Sequence, residues 1–225
     1  MTKKPVVAID GPAGSGKSTI ARKLAARLGF THIDTGALYR GVAYLALKAE
    51  ADLNQEQAVV AAAQGARIEF RQLPEGNLLH INGRNVGWEI RTEDVGAAAS
   101  KTSAYPAVRA MLLGIQKEMG RSGGVVLEGR DIGTVVFPKA EVKIFLTASI
   151  EERSRRRFEE LKGKGIATSL EEVRKDMIHR DHQDSSRAVA PMRKADDAIE
   201  LDTTGLAVES VLDRLESIVK DVQGR

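Results

Sequence analysis

The sequence predicts an α/β protein in which a parallel five-stranded sheet is flanked by helices. Two observations support this prediction. Short apolar segments with the β-branched content of buried parallel strands alternate with helical stretches along the 225 residues. A glycine-rich segment also joins the first of these strands directly to a helix. The predicted strands are residues 5–9, 31–33, 125–127, 142–146 and 198–201.

The glycine-rich segment after the first strand, residues 11–18, matches the P-loop pattern G-x-x-x-x-G-K-[ST] at every fixed position. Backbone N–H groups and the N-terminus of the following helix would hold phosphate oxygens. Lys17 would reach the β- and γ-phosphates, and the hydroxyl of Ser18 would bind Mg²⁺. The motif predicts a P-loop NTPase-type fold that binds ATP through Gly11, Pro12, Ala13, Gly14, Ser15, Gly16, Lys17, Ser18 and Thr19.

The composition, 42% hydrophobic and 29% charged residues, is that of a globular protein. No apolar run is long enough to span a membrane, and the N-terminus lacks the apolar stretch of a signal peptide, so we expect no membrane association and a cytoplasmic location. The absence of cysteine excludes disulfides and thiolate metal sites. A net charge of +3 suits a small polyanionic ligand without requiring a nucleic-acid partner.

Two segments depart from the strand–helix alternation. Residues 66–88 contain a period-two stretch at 67–71 and an Asn82-Gly83 pair, a strong type I′ hairpin signal, which together predict a small antiparallel β insertion. Gly163 and Gly165 interrupt a basic, otherwise helical stretch, which predicts a mobile basic lid over residues 153–168 between two helices.

A P-loop alone does not distinguish a kinase from an ATPase motor or a GTP switch, although the guanine-reading N-K-x-D signature is absent. The arginines are more informative, because their planar side chains suit bidentate phosphate recognition. Arg180, Asp184 and Arg187 follow i, i+4, i+7 spacing, so a continuing helix would place them on one face. An ordinary Arg180–Asp184 surface ion pair explains that spacing equally well.

Arg153 has no acidic residue three or four positions away, which predicts that it is the arginine of residues 151–157 most available to a ligand. Helical spacing supplies a partner to each other arginine of this stretch: Glu151 for Arg155, Glu152 for Arg156 and Glu160 for Arg157.

Taken together, these segments resemble the bacterial cytidylate kinases, within the nucleoside-monophosphate kinases, over nearly the whole chain. The resemblance rests on the P-loop preceded by Asp10 and on five further motifs: Asp34-Thr-Gly-Ala-Leu-Tyr-Arg40, Glu89-Ile-Arg-Thr92, Gly129-Arg-Asp-Ile-Gly-Thr-Val-Val-Phe-Pro138, Lys143-Ile-Phe-Leu-Thr-Ala-Ser149 and Arg187-Ala-Val-Ala-Pro191. The motifs that begin at Gly129 and Arg187 are the specific ones, whereas P-loops are widespread.

The resemblance implies one kinase domain over residues 1–225, with a monophosphate-binding region at 35–105 that includes the β insertion. It further implies a monomer that transfers the γ-phosphoryl group of ATP to CMP, and to dCMP, with Mg²⁺. Ser100, Arg109 and Asp131 would read the cytosine edge.

Further roles implied by the resemblance concern phosphate, sugar and metal. Thr35, Arg40, Arg130 and Arg187 would bind the acceptor phosphate, and Arg180 and Asp184 would meet the sugar. Charge stabilisation during transfer would come from Lys17, Arg130, Arg153, Arg157 and Arg187. Asp34 would hold magnesium-bound water or, equally, cap the following helix. Two positions depart from the family pattern: Thr35 replaces serine, and Glu128 replaces aspartate.

The expected nucleophile is a phosphate oxygen of CMP, which is largely deprotonated at neutral pH, so no general base is required. His32, His80, His179 and His182 therefore have no predicted catalytic role. Two alternatives remain open from sequence: a kinase for another monophosphate such as UMP or AMP, and a non-catalytic nucleotide-binding regulator.

Overall fold

Five parallel strands form the central sheet in the computed structural model, which describes residues 4–73 and 76–224. They are β1 (Val6–Asp10), β2 (Thr31–Asp34), β6 (Val125–Gly129), β7 (Val142–Thr147) and β8 (Ile199–Asp202), arranged in the order β2-β6-β1-β7-β8. All five residues of β1 are buried, as expected for the middle strand of a sheet covered on both faces. The predicted parallel sheet is confirmed, with strand ends shifted by one or two residues.

Helices cover both faces of this sheet. They are α1 (Lys17–Leu28), α2 (Thr35–Lys48), α3 (Glu56–Ala63), α4 (Glu93–Thr102), α5 (Pro106–Gly120), α6 (Ile150–Gly163), α7 (Leu170–Ser185) and α8 (Val208–Gln223). Val7 and Ile9 of β1 pack with Leu24 of α1 and Leu212 of α8 on one face. The alternate residues of β1 pack on the other face against a π-helical turn, Ile132–Val136, that follows β6.

The predicted insertion forms a separate antiparallel sheet of β3 (Ile68–Leu73), β4 (Gly76–Ile81) and β5 (Arg84–Asn85). Asn82 and Gly83 have φ values of 52° and 81°, which confirms the type I′ turn. Residues 74–75, inside the predicted 66–88 range, lie outside the described residues. Leu79 and Ile81 of β4 pack on α2, α3 and α5, which anchors the sheet to the body of the protein.

Trp88 lies just beyond β5, immediately before a 3₁₀ turn at Glu89–Arg91. Its side chain is 86% exposed. The same turn carries Arg91 to the rim of the large cleft described below. An exposed aromatic residue therefore marks the end of the insertion that borders the cleft.

α6 and α7 form a helical pair joined by residues 164–169, with Gly165 at a φ of 73°. This position agrees with the predicted break at Gly163–Gly165, while the mobility of the 153–168 lid remains a prediction. The pair packs through Leu161, Val173 and Met177. Within the described residues, no helix is both long and apolar enough to cross a membrane.

Candidate active site

A cleft of about 650 Å³ opens at the carboxyl ends of β1, β2 and β6, the usual ligand position in an open parallel sheet. The P-loop, α2, α4, α6 and α7 contribute to its walls. Among the described residues, ten cationic and six acidic side chains line it. A cleft with this excess of positive charge is suited to polyanionic ligands.

Glycines give the P-loop its close-fitting backbone. Gly11 has a φ of 147°, and a Cβ atom there would lie 2.1 Å from the carbonyl oxygen of Leu146 on β7. Gly16 has a φ of 94° and immediately precedes α1, so backbone N–H groups at the helix N-terminus remain available for phosphate.

Lys17 is buried at the start of α1, where its Nζ donates to the carbonyl oxygen of Pro12 at 2.6 Å. Burial, together with the nearby positive charge of Arg130, lowers the pKa of Lys17 to about 7, although Glu128 and Asp10 oppose this shift. A bound triphosphate would supply negative charge beside this ammonium group and favour its protonated form.

Ser18 and Glu128 face each other across the base of the cleft. The Ser18 hydroxyl donates to Glu128 Oε2 at 2.6 Å, and His32 Nε2 lies 2.9 Å from Glu128 Oε1. A hydroxyl and a carboxylate are oxygen ligands of the kind that a hard divalent cation prefers, so these residues fit such an ion.

Asp34, the other predicted metal residue, caps α2 by accepting a hydrogen bond from the N–H of Ala37 at 3.2 Å. It also accepts from Arg40 at 2.6 Å. The capping alternative is therefore confirmed, and Arg40, expected to bind the acceptor phosphate, already has a carboxylate partner.

Thr35 lines the same part of the cleft, but its buried hydroxyl donates to the carbonyl oxygen of Glu128 at 2.7 Å. The hydroxyl therefore ties the start of α2 to the end of β6. Its role in binding the acceptor remains a prediction.

Buried ion pairs line the cleft beside the P-loop, formed by residues of α5, α7 and the segments that follow β6 and α7. Asp131 contacts Arg109, and both side chains are more than nine-tenths buried. Asp184, at the end of α7, accepts from Arg130 at 2.7 Å and also contacts Arg187. Burial raises the pKa of Asp131, while the charge of Arg109 opposes that shift.

Other polar contacts join these ion pairs to neighbouring helices. Arg187 donates to the Ser103 hydroxyl at 3.0 Å, and the guanidinium of Arg109 lies 5.4 Å from the centroid of the Tyr39 ring. The Ser100 hydroxyl donates to Gln183 on α7 at 3.1 Å. The residues predicted to read the base are thus brought close to α7.

Asp10 connects β1 to the segment that follows β6. At the end of β1, beside the P-loop, its carboxylate accepts from the N–H groups of Ile132 at 2.8 Å and Gly133 at 2.7 Å, just after Arg130 and Asp131. Burial raises the pKa of Asp10 to about 6, although the two amide hydrogen bonds lower it. β1, which leads into the P-loop, is therefore bonded directly to the segment that follows Arg130 and Asp131.

The structure corrects the prediction for Arg153. Its side chain is buried rather than available to a ligand, and it does not line the cleft as far as the described residues define it. Arg153 donates to the carbonyl oxygens of Ala148 at 2.9 Å and Ala13 at 3.1 Å, and to Asp181 at 2.5 Å. It therefore fastens the P-loop to the pair of helices α6 and α7.

Two further predictions from helical spacing are wrong, because α7 ends before Arg187 and because Asp184 has other partners than Arg180. α7 ends at Ser185, so Arg187 does not share a helical face with Arg180. Asp184 pairs with Arg130 and Arg187 rather than with Arg180.

The ion pairs formed by the arginines of α6 agree in part with the prediction from helical spacing. Arg155 pairs with Glu152 rather than with Glu151, whereas the Glu152–Arg156 pair is as expected. Arg157 pairs with Glu160 as expected at 2.8 Å. It also bonds Glu93 of α4, a contact across the cleft that helical spacing could not reveal.

Most of the predicted site residues meet in this cleft. Those that line it are Ala13, Gly14, Gly16, Lys17, Ser18, Thr19, Asp34, Thr35, Arg40, Ser100, Arg109, Arg130, Asp131, Arg157, Arg180, Asp184 and Arg187. Four predicted residues are buried and do not line it: Gly11, Pro12, Ser15 and Arg153. The cleft is also lined by residues that were not predicted from the sequence: Tyr39, Arg91, Glu93, Arg156 and Lys164. Of these, Tyr39 lies in the motif Asp34–Arg40 and Arg91 in the motif Glu89–Thr92. Their place in these motifs could have identified them as site residues.

Comparison with known proteins agrees with this arrangement. A family model described as "Cytidylate kinase" matches residues 7–221. The chain is 48% identical over 221 residues to the cytidylate kinase of Anoxybacillus flavithermus, covering 98% of each protein. It is 50% identical over 216 residues to that of Geobacter sulfurreducens, covering 96% of this chain and 93% of the relative.

Among solved structures, an uncharacterized protein from Eubacterium ventriosum matches with a TM-score of 0.51 at 12% identity, over 99% of this chain and 100% of that one. That likeness concerns the fold alone. The family match and the close relatives both extend over nearly the whole sequence, and the protein belongs to the cytidylate kinase family.

Proposed function

We propose that the protein transfers the γ-phosphoryl group of ATP to CMP, and to dCMP, forming ADP and the corresponding diphosphate. The observation that carries this proposal is a single cleft lined both by the P-loop and by the buried Arg109–Asp131 pair. Membership in the cytidylate kinase family supports the same reaction.

Phosphoryl transfer of this kind depends on alignment and charge stabilisation rather than on acid–base chemistry. The attacking oxygen of CMP carries little proton at neutral pH, because the second pKa of a phosphate monoester is near 6. The side chains need only bring two polyanions together and neutralise their charge.

At the donor end, P-loop amides and Lys17 would hold the phosphates of ATP. Ser18 and Glu128 would hold a divalent cation, for which we propose Mg²⁺, with Asp34 contributing through a water molecule. When bound, that ion neutralises negative charge on the β- and γ-phosphate oxygens.

At the acceptor end, Asp131 would accept from the N4 amino group of cytosine, and Arg109 and Ser100 would donate to its N3 and O2 atoms. The guanidinium of Arg109 has five N–H donors, so it can retain Asp131 and still bond the base. Uracil has a carbonyl where cytosine has the amino group, and it would face the Asp131 carboxylate without a hydrogen bond. This difference supports selectivity for cytosine over uracil.

The acceptor phosphate would lie among Thr35, Arg40, Arg130 and Arg187, and the sugar beside Arg180 and Asp184. Asp184 already binds Arg130 and Arg187, so a sugar hydroxyl would share its carboxylate with both. Arg130, Arg157 and Arg187 would stabilise charge during transfer. Arg153 would act indirectly, because it binds the backbone of the P-loop.

The α6–α7 pair would close over the triphosphate and exclude water. The Arg157–Glu93 contact supports this role, because both residues line the cleft and their contact joins α6 to α4.

The test is a coupled ADP-release assay with CMP, dCMP, UMP, AMP and GMP supplied in parallel, together with ATP alone. We expect rapid ADP release with CMP and dCMP, slower release with UMP, and little with purine monophosphates or no acceptor. A preference for UMP or AMP would assign a different acceptor. ATP turnover that no monophosphate stimulates would indicate a nucleotide-binding regulator instead.

A further inference from the structure

Three contacts fix the carboxylate and backbone of Glu128, a residue that is only 4% exposed. Oε2 accepts from the Ser18 hydroxyl at 2.6 Å, and Oε1 lies 2.9 Å from His32 Nε2. The carbonyl oxygen of Glu128 accepts from Thr35 at 2.7 Å. Because an ionised carboxylate only accepts hydrogen bonds, His32 Nε2 must carry the proton in this contact.

The register of β2 and β6 explains how His32 reaches this carboxylate. The strands are parallel, with Asp34 opposite Glu128 and His32 opposite Val126. Residues two apart on a strand share a face of the sheet, so His32 lies on the same face as Glu128, one diagonal step away. Asn77 of β4 donates to the carbonyl oxygen of His32 at 3.2 Å and holds this part of β2 in place.

The hydrogen bond from His32 matters because the side chain at position 128 is longer than the family pattern predicts. Glutamate, in place of the aspartate expected from the family resemblance, adds a methylene group and a further rotatable bond. Ordering a glutamate side chain costs more conformational entropy than ordering a shorter one. A second hydrogen bond to the carboxylate offsets that cost and restricts its orientation.

We propose that His32 is a positioning residue that holds the Glu128 carboxylate beside Ser18, so that both can ligate the divalent cation of the nucleotide complex. The inference deepens the proposed function, since it rests on a cation bound at Ser18 and Glu128. It gives a histidine without a predicted catalytic role a specific task in this chain.

The test measures Mn²⁺ binding to the enzyme–ADP complex by electron paramagnetic resonance. For His32→Leu, which removes the donor, we expect the Mn²⁺ dissociation constant to rise about tenfold, as is typical when the hydrogen-bond partner of a metal ligand is lost. His32→Gln retains an N–H group at a similar distance from the backbone and should restore binding to within about threefold of the unmodified protein. ADP binding in EDTA, measured by calorimetry, should change by less than about twofold in both variants.

Thr31→Val is the matched control, because Thr31 is the exposed neighbour of His32 on β2. It should bind Mn²⁺ as the unmodified protein does. Unchanged Mn²⁺ binding in His32→Leu would overturn the proposal. Equal weakening in His32→Leu and His32→Gln would also overturn it, because packing rather than the hydrogen bond would then be responsible.

A second measurement applies even if His32→Leu folds poorly. It replaces leucine by asparagine, whose N–H group is too short to reach Glu128. Glu128→Asp moves the carboxylate away from His32, so in that background His32→Gln and His32→Asn should differ by less than about twofold in Mn²⁺ binding. A difference as large as in the unmodified background would contradict the proposed contact. These binding measurements require no acceptor, so failure of CMP phosphorylation in the ADP-release assay remains a separate result.

Discussion

The two ends of the cleft are constructed from different parts of the chain. The donor end is one contiguous stretch, residues 11–18, whose backbone groups face the cleft at the start of α1. The acceptor end is assembled from side chains on α4, α5, α7 and the loop after β6. Its charges are already paired with one another, as in Arg109–Asp131.

This difference has an energetic consequence. A backbone cradle keeps its geometry when most side chains change, because the loop conformation holds it. A buried ion-pair network depends on each member, since removing one partner leaves a buried charge without compensation. We therefore expect acceptor binding to respond to many substitutions, and donor binding to only a few.

The largest expected effect comes from Lys17, the cationic side chain of the P-loop. Lys17→Ala should lower kcat by about a thousandfold, because loss of one charge-stabilising donor typically costs a factor of this order. The measurement is the coupled ADP-release assay with saturating CMP, with circular dichroism to check folding. A loss below about tenfold would contradict the assignment of Lys17 to the transferred phosphate.

At the acceptor end, Asp131→Asn should lower kcat/KM for CMP about a hundredfold while the KM for ATP changes little. The amide oxygen is an uncharged and weaker acceptor for the N4 amino group, and the substitution leaves the buried charge of Arg109 without a compensating carboxylate. The exposed carboxylate Asp176 of α7 provides a control, since Asp176→Asn should behave as the unmodified protein does. An unchanged ratio of CMP to UMP turnover would refute the role of Asp131.

The bonded link between the two ends predicts a pH effect on stability. The pKa of Asp10 is about 6 in the folded protein and near 3.8 in the unfolded chain, so the folded state binds this proton more tightly. The contribution of Asp10 to the free energy of unfolding is therefore greatest below pH 3.8, falls as the pH rises to 6, and stays low above it.

The expected difference is about 2 kcal/mol between pH 4 and pH 6.5. It should appear when urea unfolding of the unmodified protein is compared with that of Asp10→Asn, which has no carboxyl group to titrate. Identical pH profiles for the two proteins would show that Asp10 titrates at its ordinary pKa.

The smallest expected effect concerns the bridge between the two walls of the cleft. Glu93→Gln weakens the contact from α4 to Arg157 on α6, a partly exposed pair, and should raise ATP hydrolysis without acceptor about threefold relative to transfer. Glu160→Gln is the matched control, because Glu160 binds the same arginine from within α6. Equal effects of both variants would mean that the bridge itself does not limit access of water.

Sequence reasoning succeeded where the determinants are close together in the chain. The P-loop and the Asn82-Gly83 turn are specified by adjacent residues, because their conformations require glycine at fixed positions. Parallel strands were also recognisable, since burial on both faces demands continuous apolar residues.

It failed where partners are distant in sequence. Helical spacing left Arg153 without an acidic neighbour, yet the tertiary structure supplies Asp181 and a P-loop carbonyl oxygen. The Glu93–Arg157 contact joins residues 64 positions apart. The pairing of Glu128 with His32 likewise required the register of β2 and β6, which the separate strand patterns do not contain.

The exposed Trp88 at the end of the insertion is the only tryptophan in the chain. Its indole emission therefore comes from a single known position and is sensitive to the polarity of its surroundings. Titration with each nucleotide in turn would follow rearrangement of that edge optically, without an attached dye.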